Sequence, residues 1–462
     1  MEMLENLFTS ASAAAINLVL CTPKILEDIF NSKPEWVQTW IQQHQFTAVP
    51  GQMLSIPSEN GQIKEVLYGS DGSTGQFARI AQQLPQGVYT VADWGDLDKQ
   101  QACLAWALSS YQFTHYKEND AAVKAQLVWP ESVDQQWVTV AYEAIALVRD
   151  LINMPANALT PAKLAEIASN VAAENGATCT IVTGETLEKE FPAIHTVGQA
   201  AAVAPRLIDI RWSHPNPLRT VTIVGKGVCF DSGGLDIKPS AAMLTMKKDM
   251  GGAAHALALA CMIIRLNLPL HLRLLIPAVE NAISSNAMHP LDIIRTRKGL
   301  TVEVGNTDAE GRLILADALY EACQDTPHLI IDFATLTGAA RIALGTELPA
   351  LFSNNLDIAN KLLSCANQIN DPLWLMPLHR PYEKYLKSSV ADLSSTGKSS
   401  YGGAITAALF LEKFITPSID WLHIDHMAWN LASAPGKPEG GEAMGLLAVF
   451  EFLSKEFTLT IF

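Results

Sequence analysis

Residues 221–240 read VTIVGKGVCFDSGGLDIKPS. The apolar run that opens this stretch stops at a glycine-rich turn, and lacks the polar alternation of a strand with one wet face. It reads as a strand buried on both faces. Two later segments share its mixture of glycine, small residues and isolated charge: MKKDMGGAAHALALA at 246–260 and VEVGNTDAEGRLILADAL at 302–319. Lys226, Asp231, Lys238, Asp249, Asp308, Glu310 and Arg312 lie within these three segments. Charges set among glycines and apolar residues lose water on folding, so they need partners or metal.

Working outward, similar apolar runs recur as TCTIVTG (178–184), RLIDIRW (206–212), HLRLLIPAVE (271–280), LIIDFATL (329–336) and WLHIDHMA (421–428). Helical patterns stand between them: ETLEKEF (185–191), GGAAHALALACMIIRL (251–266), the segment from Glu310 to Cys323, GAITAALFLEKF (403–414) and a last helix near 445–455. Strands alternating with crossover helices predict a mixed, mainly parallel sheet covered by helices on both faces. Upstream, LTPAKLAEIASNVAAENG (159–176) is a helix with Thr160 as cap, Pro161 in the first position and Gly176 as stop. VTVAYEAIALVRDLINMPAN (138–157) reads as one long helix ending near Pro155. The stretch 380–403, which contains TGKSSYGG, reads as a long loop, mobile or near the site.

Residues 1–140 read as a separate α/β domain. HQFTAVPGQMLSIPSENGQIKEVLYG (44–69) carries two β-rich runs around Asn60-Gly61, a hairpin signal. FARIAQQL (77–84) is a short helix, GVYTVAD (87–93) and AQLVWP (125–130) are strands, and the helix in 96–113 is capped by Asp96 or Asp98. No catalytic constellation is found there, which suits an assembly or accessory role. The expected architecture is therefore α/β throughout: a smaller N-terminal α/β domain (1–140), a linker helix (141–158) and a C-terminal α/β/α domain (159–462).

Composition narrows the function. A length of 462 residues favours two or three domains over one core. Only 17% of residues are charged, below the usual quarter, which suits surface buried in an oligomer. The net charge of -15 argues against a general nucleic-acid binder, which needs clustered Lys and Arg. The seven cysteines are scattered, with no zinc spacing, as in a reducing compartment. Glu2 and Glu5 precede the apolar run ASAAAINLVL, which is shorter than the roughly 18 residues a membrane span needs, and the positive charge of a signal peptide is missing. These features predict a cytoplasmic protein with no membrane contact.

In open α/β sheets, ligands sit outside the carboxyl ends of the strands. Lys226 and Asp231 leave a strand there. Asp249 opens a helix, where a carboxylate is favoured. If extended, Asp308, Glu310 and Arg312 point to one side. Four converging carboxylates repel unless cations are present, and two divalent ions would balance them, a recurring hydrolytic device. Hard oxygen donors without histidine leave the metal open among Mn, Mg and Zn. Taken singly, Asp249 reads equally as a helix cap, Asp308-x-Glu310-x-Arg312 as a charged turn, and Lys226 as a phosphate contact, although GKGVCFDSGG lacks the P-loop spacing. It is their combination that points to a metal site.

The segments VGKGVCFDSGGLDIKP, MKKDMGGAAH and NTDAEGRL resemble the signature segments of the cytosolic leucine aminopeptidase family, as do RDLINMPANALTP, ATLTGAARIALG and GAITAALFLEKF. The resemblance covers roughly 145–462. It implies a leucyl aminopeptidase-type metallo-exopeptidase that removes the N-terminal residue, Leu or another apolar one, from short peptides with a free N-terminus. It also implies two divalent metal ions per subunit, Mn or Zn, with Mg or Co as substitutes. Lys226, Asp231, Asp249 and Glu310 would hold one ion. Asp231, Asp308 and Glu310 would hold the other, together with the Asp308 carbonyl. Lys238 would stabilise the oxyanion, and Arg312 would hold a bicarbonate as proton relay. Met246, Thr335, Leu336, Gly338 and Met427 would line the side-chain pocket, Met246 reading equally as core packing. A homohexamer with interior active sites is implied as well.

Three departures from the family pattern stand out. His423-Ile424-Asp425-His426-Met427-Ala428 replaces an HLDIAG-like strand, and Met427, bulkier than the usual residue, predicts a narrower or reshaped pocket. Leu291 stands where glycine is usual, and VGQAAAVAP is rich in alanine. Read without the family, His423 and His426 could suggest a metal motif, but on a strand they face opposite sides. Two other readings compete: a two-metal phosphoesterase, and an assembly or DNA-binding protein that keeps the fold without the activity.

Overall fold

The computed structural model describes residues 2–10, 14–58, 60–117 and 124–457. The chain divides into two compact units, 1–143 with 432–439 and 144–431 with 440–462. The division falls inside the helix Gln135–Asn153 and not at either of its ends. The segment 432–439, read from sequence as part of the second domain, belongs to the first unit. No helix among the described residues is long and apolar enough to cross a membrane.

The first unit is built on six strands: β1 (Phe8–Thr9), β2 (Ile16–Cys21), β3 (Met53–Pro57), β4 (Ile63–Gly69), β5 (Gly87–Thr90) and β6 (Ala125–Val128). Their order is β1-β6-β5-β2-β4-β3, parallel except where β3 and β4 form the expected hairpin. In its loop, the Asn60 side-chain oxygen accepts from Gln62 N at 3.1 Å, and Gly61 takes a left-handed φ of 82°. Asp98, not Asp96, caps the helix Lys99–Leu108, accepting from the amides of Gln100 and Gln101. Val37, Ile41, Phe46, Leu54, Ile56 and Leu67 form part of a core against this sheet.

The second unit contains β7 (Thr178–Val182), β8 (Arg206–Ser213), β9 (Arg219–Gly225), β10 (Gly227–Asp231), β11 (Leu270–Asn281), β12 (Ile293–Arg295), β13 (Thr301–Glu303), β14 (Leu329–Ala334), β15 (Ala350–Ser353), β16 (Trp374–Leu375), β17 (Leu393–Ser394) and β18 (Asp420–Asp425). The main sheet runs β16-β15-β18-β14-β9-β11-β8-β7, with β10 paired to β11. Its centre, β18-β14-β9-β11, is parallel, while β15 and β8 pair antiparallel to their inner neighbours. This is the mixed, mainly parallel sheet that the apolar runs predict.

Burial explains those runs. Every residue of β14 is buried, and the helix Gly251–Arg265 is buried through thirteen of its fifteen residues. A helix without a polar face is a core helix. The long-loop reading of 380–403 is corrected in part. A 3₁₀ turn spans Arg380–Leu386, and β17 pairs parallel with β13. Thr160 caps the helix Pro161–Glu174 by accepting from Lys163 N at 3.3 Å, and Gly176 has a φ of 68°.

Candidate functional site: a lysine–carboxylate cluster

The four parallel central strands end on one edge of the sheet, and each delivers a polar group there. Lys226 follows β9, Thr335 follows β14, Asp425 ends β18 and Asn281 ends β11. Asp231 ends β10, opposite Asn281 in the parallel pairing with β11. This is the strand-end location that open α/β sheets favour for ligands.

Two lysines stitch four carboxylates together. Lys226 Nζ lies 2.8 Å from Asp249 Oδ2 and 3.0 Å from Glu310 Oε1, and donates to the Thr335 carbonyl at 3.1 Å. Lys238 Nζ lies 2.8 Å from Asp231 Oδ2 and also pairs with Asp308. Ligand atoms of Asp231, Asp308 and Glu310 all fall within 4.8 Å of one another, the spacing of a metal site. Lys226, Asp231, Asp249 and Glu310 are buried, whereas Asp308 opens to solvent.

Glycines allow this density. Gly233 has a φ of 88°, and a Cβ there would lie 2.6 Å from the Asp236 carbonyl and 3.0 Å from Asp308 Oδ1. Such a turn suits glycine and strains any other residue.

Two expectations about local geometry are corrected. Asp308 sits on a 3₁₀ turn, Thr307–Ala309, and Glu310 starts the helix Glu310–Cys323, so the segment is not extended. Glu310 and Arg312 consequently diverge: Arg312 Nη1 donates to the Ser395 carbonyl at 2.8 Å, which brings the 380–403 stretch's end beside the cluster. Asp249 does not open the helix that follows. It lies in the 3₁₀ turn Met246–Met250, and its carboxylate accepts from Thr335 Oγ1 at 2.7 Å and pairs with Lys226, so it is not a helix cap.

Three supporting residues have no signal that periodicity reveals. Asn281 Nδ2 donates to Asp231 Oδ1 at 2.8 Å and to the Thr307 carbonyl at 3.1 Å. Thr307 Oγ1 donates to the Gly233 carbonyl at 2.6 Å and accepts from Asp236 N at 2.8 Å. The Asp236 carboxylate accepts from Thr307 N at 2.8 Å. This exchange locks the turn bearing Asp231 and Lys238 onto the turn bearing Asp308 and Glu310. Thr307 and Asp236 stand inside the quoted segments, and their local positions in turns were the available hint.

Electrostatics describe a site short of positive charge. Four carboxylates face two ammonium groups. Burial, reinforced by Asp249, raises the Asp231 carboxyl to about 6 despite Lys238 and Lys226. Burial and Asp231 hold Glu310 well above the usual carboxylate range. Burial works against the Lys226 ammonium, yet Asp249, Glu310 and Asp231 outweigh it and hold it above the usual lysine range. Glu310 Oε2 is buried without a hydrogen-bond partner among the described residues. Such an orphaned oxygen, among hard donors at this spacing, fits divalent cations. Burial lowers Arg312 to about 10, and its Nε is likewise buried without a partner, which fits an anion.

The five pocket candidates lie on three nearby segments. Met246 is buried on the 3₁₀ turn before Gly251. Thr335, Leu336 and Gly338 follow β14, where Asp425 Oδ1 accepts from Leu336 N at 2.9 Å and Thr337 N at 3.1 Å, and Oδ2 accepts from Thr337 Oγ1 at 2.6 Å. Met427, partly buried, touches Arg341 through its sulfur. The two histidines of HIDHMA go to different partners. His423 Nδ1 is 2.6 Å from Asp332, while the His426 ring lies 4.2 Å from that of His255. Neither belongs to the metal-type cluster. The seven cysteines are free, and all but Cys179 are buried.

The profile described as "Cytosol aminopeptidase family, catalytic domain" matches residues 146–449, and that of "M17 aminopeptidase, N-terminal domain" matches 16–130. A protein of Syntrophotalea carbinolica named "Probable cytosol aminopeptidase" is 44% identical over 316 residues, 68% of this chain and 63% of its own length. One of Wolinella succinogenes with the same name is 33% identical over 92% of this chain and 95% of its own. A crystal structure of cytosol aminopeptidase from Coxiella burnetii superposes with a TM-score of 0.94 at 46% identity, covering 98% of this chain and all of that one. The bottromycin maturation enzyme BotP in complex with Mn gives 0.85 at 29% identity, covering 97% and 100%. With its catalytic-domain profile spanning the cluster of Lys226, Asp231, Asp249, Asp308 and Glu310, the chain belongs to the M17 cytosol aminopeptidase family and is a metallo-exopeptidase of the leucyl aminopeptidase type.

Proposed function

We propose that this aminopeptidase hydrolyses the N-terminal residue from short peptides with an unblocked amine, using two bridged divalent ions. The observation that carries the reading is the convergence of Asp231, Asp308 and Glu310 ligand atoms within 4.8 Å, beside a buried Glu310 oxygen without a partner. Lys226, Asp231, Asp249 and Glu310 would hold one ion and Asp231, Asp308 and Glu310 the other. Mn or Zn fits the donor set, with Mg or Co as substitutes. When bound, the ions supply Lewis acidity and a water acidic enough to react near neutral pH.

The chain's own groups do the rest. Lys238, raised to about 12 as Asp231 and Asp308 outweigh the effect of burial, stays an ammonium through the working range. It polarises the scissile carbonyl and stabilises the tetrahedral oxyanion, where a positioned cation counts most. The Arg312 fork, with one arm on the Ser395 carbonyl and Nε free, would hold a bicarbonate, which would supply a proton relay. Met246, Thr335, Leu336, Gly338 and Met427 receive the side chain of the N-terminal residue, Leu or another apolar one. The first unit serves assembly, and the subunits form a homohexamer that works in the cytoplasm.

The test is leucine release from an unblocked Leu dipeptide, before and after chelation, with Mn and Zn restored separately. Activity lost to chelator and regained with metal supports the reading. Activity indifferent to chelation, or no turnover under any metal, contradicts it.

A further inference from the structure

The pocket assigned to the substrate side chain has a guanidinium at its wall. Arg341 lies on the helix Gly338–Leu344. Its Nη1 is 3.7 Å from Met427 Sδ, and a Cβ built on Gly338 would lie 3.5 Å from Nη2. The guanidinium therefore borders two of the five pocket positions. Among the described residues, no carboxylate forms an ion pair with it. Asp425 is the acid at hand on the neighbouring strand end, but both its oxygens are taken by Leu336 and Thr337.

Arg341 is itself only partly buried, so its guanidinium stays within reach of an incoming side chain. A pocket meant only for hydrocarbon gains nothing from a guanidinium at its wall, because a cation covered by an apolar side chain loses water without gaining counter-charge. A Leu side chain entering here would cover Arg341 without pairing it. A side chain with a short apolar stem and a carboxylate end would lay its methylenes against Met427 and offer two oxygens to the guanidinium fork.

We propose that Arg341 is a specificity-determining residue that makes the pocket accept an acidic N-terminal residue, glutamate or aspartate, alongside apolar ones. This rests on the aminopeptidase reading above and extends its substrate class. Met427 then acts as the apolar wall beside the guanidinium, in addition to narrowing the pocket.

The test compares kcat/KM of the Mn-loaded enzyme on Leu-Ala, Met-Ala, Asp-Ala and Glu-Ala, for the native chain, Arg341→Met and Arg341→Lys. The native chain should turn over Glu-Ala or Asp-Ala at a rate comparable to Leu-Ala. Arg341→Met should lower the Glu-Ala to Leu-Ala ratio at least ~tenfold, while Arg341→Lys, which keeps the charge but loses the fork, should fall between the two. Ready hydrolysis of Leu-Ala with the acidic dipeptides rejected overturns this inference and leaves the aminopeptidase reading standing. An unchanged ratio in Arg341→Met overturns it also. No hydrolysis of any dipeptide overturns the aminopeptidase reading and the inference with it.

Discussion

Gly311 lies directly against Lys226: a Cβ at Gly311 would sit 2.4 Å from Lys226 Cε and 2.7 Å from Nζ. The helix that carries Glu310 can therefore approach the lysine only because its second residue has no side chain. Lys226 cannot simply swing aside, since it is buried and held by Asp249, Glu310 and the Thr335 carbonyl. Gly311→Ala is expected to displace the lysine and lower kcat/KM on a Leu dipeptide by ~100-fold, the scale of a misplacement of about 1 Å at a reacting site. Circular dichroism should show the fold retained. Near-native activity would mean that the position of Lys226 is unimportant.

Thr307 joins the two turns that bear the cluster's carboxylates. Thr307→Val keeps the shape but removes the hydroxyl that serves the Gly233 carbonyl and Asp236 N. Leaving buried polar groups unpaired costs about 1–3 kcal/mol. Urea denaturation of the metal-free protein should show that loss, and calorimetric titration with Mn should show weaker binding. Unchanged values in both would remove Thr307 from the account.

Leu291 holds a φ of 71° and is exposed, while its amide donates to the Val304 carbonyl at 2.7 Å. Leu291 therefore occupies a left-handed conformation that favours glycine and strains a residue with a side chain. The strain for a residue with a side chain is roughly 1–2 kcal/mol, and glycine returns part of it through unfolded-state entropy. Leu291→Gly should raise the melting temperature slightly. A fall would show that the Leu291 side chain contributes more than its backbone costs.

His255 provides a pH test away from the cluster. Burial depresses its imidazole to about 4, the Gly251 carbonyl opposing. Its ring contacts that carbonyl through Nδ1 at 2.7 Å and accepts from Met444 N through Nε2 at 2.9 Å, which requires the neutral form. The folded value lies below the unfolded value near 6.5, so the unfolded chain takes up a proton first. The stability from this group is present above pH ~6.5 and is lost as pH falls toward ~4, a change on the order of 3 kcal/mol. Urea unfolding at pH 7 and pH 5 should show the decline. His255→Leu should be less stable at pH 7 but lose less between the two values; an equal loss would assign the effect to other groups.

What the sequence reveals here follows from where each partner lies. Buried on both faces, β9, β14 and β18 appear as mostly apolar runs in which single polar residues, Thr222, Asp332 and His423, are buried as well. Thr160 and Pro161 mark a helix start by local chemistry alone. The same cap pattern at Thr22-Pro23 starts the helix Pro23–Ser32, and Asn355 caps Leu356–Gln368; neither helix is among those predicted above. The six residues that meet at Lys226 and Lys238 sit in recognisable segments. Asn281, which supports Asp231, and Asp425, which holds Leu336 and Thr337, come from distant strand ends and are joined only by the sheet. A period of two predicts Arg312 on the same side as Asp308 and Glu310, and it fails because the helix begins at Glu310. Arg341 reads as an ordinary charge on a short helix until folding sets it against Met427.

The most direct measurement of the central claim is metal stoichiometry. The purified chain is stripped with chelator, dialysed against Mn and assayed for bound metal per chain. The account predicts two ions in the native protein and fewer in Glu310→Gln, whose carboxylate would bridge them. One ion or none in the native chain, or an undiminished two in Glu310→Gln, would contradict a bridged pair built on Asp231, Asp308 and Glu310.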